Sequence, residues 1–151
     1  MNVVAIAGVA TQAKMEYTLQ LAEHLVGQDQ TVTMLDNGDV PMRAAELPSK
    51  RLRGGCVCCT IAPELIKQMG TLTTDWALIV VTASADALQL RHTLSRLEHQ
   101  GHHVTVAAIL DPHIKPSYLS DQIVAVADVA VNSTDPIGVS LQAILSLHSS
   151  S

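Results

Sequence analysis

Short continuous apolar runs alternate along this chain with longer segments of helical spacing. Val3–Gly8 is apolar and ends in glycine, as a strand buried on both faces does. Gln12–Gly27 places Met15, Leu19, Leu21, Leu25 and Val26 so that they can share one helical face. Thr31–Leu35 predicts a second strand, broken by the turn residues Asp36, Asn37, Gly38 and Asp39. Val40–Gly55 has two prolines, scattered charge and little periodicity, and predicts a mobile surface segment with a short helix. Ile61–Met69 reads as a helix whose first turn accepts Pro63. Trp76–Thr82 is a third strand, and Asp86–Gln100 an amphipathic helix stopped at Gly101. Val104–Leu110 and Asp128–Asn132 predict two further strands, with helices over Tyr118–Ala127 and Ile137–His148.

Strands of about six residues between helices of 10–16 imply βαβ units. The expected fold is α/β: a three-layer, mostly parallel sheet with helices on both faces. Neither a repeat nor a linker interrupts the 151 residues, so one domain over 1–151 is the expectation. Ligands of such sheets bind outside the carboxyl ends of the strands. Chemistry is therefore sought after strands one, two, three and five.

Composition narrows the picture. The chain is 48% hydrophobic but 2% aromatic, with no Phe, so the core must be built from aliphatic side chains and Met. A net charge of −5 gives no basic footprint for nucleic acid. The one basic cluster, Lys50, Arg51 and Arg53, sits beside the cysteines. No apolar run approaches the roughly 20 residues that span a bilayer, and no charged leader precedes the first strand. The expected setting is cytoplasmic and reducing, without a membrane partner.

Three cysteines, Cys56, Cys58 and Cys59, fall within four positions behind Gly54 and Gly55. An odd, clustered set is no disulfide framework. Thiolates bind zinc and other thiophilic ions, with water, a histidine or a second chain completing the shell. A helix start just after the cysteines, and the neighbouring Lys50, Arg51 and Arg53, would favour deprotonation. Small buried hydrophobes or a redox pair across Cys56 and Cys59 are weaker readings. His99, His102 and His103 surround Gly101 and are most simply a helix end. His113 follows Asp111 and Pro112 on the functional edge and is the better histidine candidate as a ligand. Asp36 and Asp39 could approach a metal, but an Asx-type turn explains them as well. Trp76 is read as a core or interface residue, and Met15, Met42 and Met69 as core or gap-filling residues.

The stretch Gly55-Cys56-Val57-Cys58-Cys59-Thr60 resembles the G-C-[IV]-C-C-T signature of the CobW-type metal-chaperone GTPases. Other segments follow in family order. Val4–Gly8 resembles the strand entering a phosphate loop, with Lys14 as its lysine. Thr31–Asp39 resembles the first switch region, and Ile79–Asp86 the third strand and second switch. Gln122–Asp135 resembles the guanine-specificity segment, ending Asn132, Ser133, Thr134, Asp135. The likeness covers nearly the whole chain and implies a P-loop NTPase-like fold. The family's usual C-terminal domain has no counterpart within these residues. It implies a metal-binding domain with Cys56, Cys58 and Cys59 as ligands of zinc or a similar ion, and a client metalloprotein or a second copy as partner. Gly8, Lys14, Asn132 and Asp135 would be what remains of a GTP site.

The departures point away from catalysis. A phosphate loop reads G-x-x-x-x-G-K-[ST], but here Ala13 replaces the second glycine and Met15 the Mg²⁺ hydroxyl. Val81-Thr82-Ala83-Ser84 stands where the family has Glu-Thr-[ST]-Gly, and Ser133 replaces the guanine-motif lysine. Phosphoryl transfer rests on positioning and charge neutralisation, so no effective GTP hydrolysis is expected and no catalytic residue is assigned. The competing expectations are a diverged GTP- or ATP-binding NTPase and a pseudo-GTPase that acts as an interaction module.

Overall fold

The computed structural model describes residues 1–38, 47–52, 55–56 and 62–149. Six parallel strands form one sheet: β1 (Asn2–Ala7), β2 (Val32–Asp36), β3 (Ser49–Arg51), β4 (Trp76–Val80), β5 (His103–Leu110) and β6 (Val129–Asn132). Their spatial order is β3-β2-β4-β1-β5-β6. The helices are α1 (Thr11–Gly27), α2 (Ala62–Met69), α3 (Ala87–His99), α4 (Tyr118–Val126) and α5 (Ile137–Ser149).

Side-chain alternation along the strands divides the interior into two layers. Val3, Ala5 and Ala7 of β1, with Ala77 and Ile79 of β4, pack against Leu65 and Met69 of α2 and Leu90, Leu94 and Leu97 of α3. Val4 and Ile6, with Leu78 and Val80, pack against Leu21 and Leu25 of α1 and Leu141 and Ile144 of α5. The strands carry near-continuous apolar runs because both faces are covered. All five residues of β4 are buried. The three-layer architecture expected from the sequence is thus the one observed.

One expectation needs correction. The segment 40–55 was expected to be a surface segment with a short helix, yet Ser49–Arg51 forms an edge strand. It pairs with β2 in the register Met34↔Ser49 to Asp36↔Arg51. It has no apolar period because its side chains are exposed or half-buried. Its hold on the sheet is the backbone ladder and the ion pair from Arg51 to Asp36. Residues 39–46 lie outside those described, and Asp39 and Met42 with them.

The chain leaves β1 towards β2 on one side and leaves β5 towards β6 on the other. The carboxyl ends of β1 and β5 therefore flank a topological switch point, where open sheets of this kind hold ligands. Gly8 occupies that point. Its φ is +135°, and a Cβ there would come within 2.5 Å of Ile109 O. The glycine is thus required by the close approach of β1 and β5 as well as by its backbone angle.

Candidate functional site

The stretch after β1 departs from the phosphate-loop pattern in sequence at Ala13 and Met15. A nest needs successive backbone N–H groups turned towards one anion. Here α1 begins at Thr11, and the Lys14 N–H donates to Ala10 O at 2.9 Å as an ordinary helical bond. The Lys14 side chain is only 1% exposed. Its Nζ donates to Val81 O at 2.7 Å, tying α1 to the end of β4. Thr18 Oγ1 in turn donates to Lys14 O. Met15 packs against the α1–α5 core layer, as expected for gap-filling. The Lys14 amine is thus engaged inside the fold, on the carbonyl just beyond β4.

Asn132 and Asp135 stand together at the end of β6. Asn132 Oδ1 accepts from Thr134 N at 3.1 Å and from Thr134 Oγ1 at 2.8 Å. The Asp135 N–H donates to Asn132 O, and its side chain is exposed. Both residues line a cavity of about 60 Å³ with Ala13, Glu16 and Tyr17. Asn132 also lines a second cavity, of about 380 Å³, with Val9, Leu110, Asp111 and Pro112. Tyr17 is buried on the wall of the smaller cavity, and burial pushes its phenol up. Its Oη lies near Ser140 without a well-formed hydrogen bond, and Ser140 Oγ donates to Ile137 O instead.

The end of β2 is a dense polar knot on the same carboxyl edge. Asp36 is 2% exposed and receives Arg51 Nη1 at 2.9 Å and Gly38 N at 3.0 Å. The Asx-type turn weighed for this residue is present, and the carboxylate is committed to it. Arg51 Nη2 also donates to Gly38 O at 2.7 Å. Asn37 is equally buried and donates through Nδ2 to Leu52 O at 3.1 Å and Gly55 O at 2.8 Å. Its backbone N–H donates to Val80 O, while Leu52 N–H donates back to Asp36 O.

Cys56 follows directly, half-buried against the core layer of α2 and α3. Cys58 and Cys59 lie outside the described residues. Among the described residues no group of three His, Cys, Asp or Glu side chains could hold a metal ion. His113 is exposed, and its N–H caps Asp111 at 2.8 Å. His99 closes α3, and His102 and His103 sit at the opposite, amino edge. The helix-end reading of this trio fits their place in the chain.

Two features escaped the sequence reading. By sequence Asn37 is only a turn residue, although Asn beside Asp and Gly after an apolar run is also where a side-chain amide can brace a loop. His148 was read as the end of a helix. It is 8% exposed, with Nε2 2.8 Å from Thr105 Oγ1 and Nδ1 3.2 Å from Asn2 Oδ1. Burial and the nearby His103 lower its pKa to about 4, against the opposing pull of Asp128.

No helix among the described residues is long and apolar enough to cross a membrane. No curated protein sequence matches the chain. The model of the CobW/HypB/UreG nucleotide-binding domain matches residues 16–146. The match takes in the cysteine motif and Asn132 to Asp135 but begins just after Lys14 and Met15, where the phosphate-loop pattern fails. With its parallel three-layer sheet and the span of that match, the chain belongs to the CobW/HypB/UreG nucleotide-binding domain family.

Proposed function

We propose that this chain is a metal-handling domain of the CobW type that binds a thiophilic ion such as zinc and does not turn over GTP effectively. Cys56, Cys58 and Cys59 are the ligands in this reading, and the metal is cargo for storage, sensing or delivery to a client metalloprotein. The observation that carries it is the position of Gly55 and Cys56. They are held against the carboxyl end of β2, on the edge where parallel sheets bind ligands. The internal use of Lys14 supports the loss of GTP turnover.

Cobalt(II) titration of the reduced, anaerobic protein tests the metal half. The expected result is an intense thiolate-to-cobalt band with tetrahedral d–d transitions, displaced by zinc. Changing Cys58 and Cys59 to Ser should collapse the stoichiometry, and an unchanged stoichiometry removes the reading. The nucleotide half is tested by phosphate release from Mg²⁺ and millimolar GTP. Release should not exceed the protein-free rate, and steady turnover lost on Lys14→Ala would restore the diverged-NTPase reading.

The interaction-module reading has one observation in its favour. Ile114, Tyr118, Leu119 and Val124, on α4 and the segment before it, are exposed, Tyr118 by 76%. Exposed apolar patches mark contact surfaces. Sedimentation over a wide concentration range would reveal self-association, and a monomer throughout would count against pairing of like chains.

A further inference from the structure

We infer that Asn37 is the positioning residue of the cysteine loop, setting where the Cys56 thiol stands on the carboxyl edge. The inference rests on the metal-handling reading for its purpose, and on hydrogen-bond geometry for its substance. Asn37 lies 15 residues from Leu52 and 18 from Gly55, yet one amide nitrogen donates to both carbonyls. A primary amide has two N–H donors and a carbonyl acceptor. Both donors are used on Leu52 and Gly55. The orientation of the amide is fixed chemically, because the reverse would set its oxygen against two carbonyl oxygens.

The backbone of Asn37 is held as firmly as its side chain needs. Its N–H donates to Val80 O at 2.8 Å, at the end of a fully buried central strand. Asp36 before it and Gly38 after it are both gripped by Arg51. Gly55 has φ +148°, a conformation open to glycine, as it offers its carbonyl to Asn37. The next residue is Cys56. A rigid strand end, a buried amide and the loop carbonyls therefore form one path from the sheet to the thiol. Groups bonded directly to metal ligands are worth about 10- to 100-fold in affinity, and Asn37 acts one residue removed, through the Gly55 carbonyl.

No other side chain of similar size reproduces the arrangement. Asp would face two carbonyls with a carboxylate, and Ser can donate only one bond. Ala leaves both carbonyls without this donor, in a place where Asn37 itself is 4% exposed.

The test compares Asn37→Ala and the milder Asn37→Ser with Thr105→Val, which removes a buried hydrogen bond at the opposite edge. Hydrogen exchange of the segment 47–56 is followed in each metal-free protein. Alkylation of Cys56 is timed in a background with Cys58 and Cys59 changed to Ser. Cobalt(II) affinity and spectrum are measured with all three cysteines present. Both Asn37 variants should exchange about tenfold faster over 47–56 and alter the Cys56 alkylation rate severalfold. They should bind cobalt at least tenfold more weakly, with a changed d–d envelope. Thr105→Val should leave all three readouts within twofold of the parent. If Asn37→Ser matches Thr105→Val in exchange and alkylation, or binds cobalt like the parent, the inference is overturned. If the parent binds no cobalt, the metal reading fails by itself, and exchange and alkylation still decide whether Asn37 positions the loop.

Discussion

The two edges of the sheet each bury a polar cluster, and they spend it differently. At the carboxyl edge, Lys14, Asn37 and Arg51 direct their donors at backbone carbonyls of loops and strand ends: Val81, Leu52, Gly55 and Gly38. At the amino edge, His148 bonds to side chains on strands, Thr105 and Asn2, with its ring tilted against Trp76 at 4.7 Å. The first cluster fixes segments that would otherwise choose their own course. The second fixes a helix already shaped by its own hydrogen bonds. Loops positioned by a rigid scaffold are where binding concentrates, so the carboxyl cluster is the one expected to matter for function. The amino cluster should matter only for stability.

The largest expected effect is at the carboxyl edge. Gly8→Ala combines an unfavourable φ with a Cβ 2.5 Å from Ile109 O, and should cost about 4 kcal/mol. Chemical denaturation of any soluble product would measure it. A loss below about 1 kcal/mol would mean that β1 and β5 can part at little cost. Lys14→Ala should cost about 3 kcal/mol, since it removes a buried donor from Val81 O and leaves a space. Its effect should appear in stability and not in nucleotide binding. If stability stayed put while GTP binding disappeared, Lys14 would be a phosphate ligand after all.

A smaller effect separates the amino edge. Because His148 titrates lower in the fold than in the unfolded chain, the unfolded chain takes up its proton first on acidification. Stability from this residue is full above about pH 6.5 and is lost as pH falls towards about 4. The loss is of order 2 kcal/mol. His102, also lowered by burial, acts in the same direction. His148→Gln should flatten the slope of stability against pH between those limits without altering metal affinity. An unchanged slope would show that other groups carry it. Arg51→Ala should be of similar size, about 2 kcal/mol, because it strands the buried Asp36 carboxylate, read as faster amide exchange in β3 ahead of the rest of the sheet.

The sequence displayed the fold more openly than the site. Val3–Gly8, Trp76–Thr82 and Val104–Leu110 announce buried strands because a parallel sheet covered on both faces needs uninterrupted apolar runs. Ser49–Arg51 announced nothing, because a three-residue edge strand lives on ladder bonds and on an ion pair to a residue 15 positions earlier. The departure from the phosphate-loop pattern could be read in Ala13 and Met15. What Lys14 does instead could not, since its acceptor is 67 residues away.

Local chemistry determined the alternation of strands and helices, the aliphatic core, the clustered thiols and the loss of the phosphate-loop pattern. Each depends on neighbours within a few positions, and periodicity or motif spacing records such neighbours directly. Tertiary structure alone decided that Asn37 meets Gly55, that Lys14 meets Val81 and that His148 meets Asn2, 146 residues away. Those meetings follow from the strand order β3-β2-β4-β1-β5-β6. That order is set by which apolar faces bury one another, and a buried polar group must take its partner from whatever the packing brings within reach.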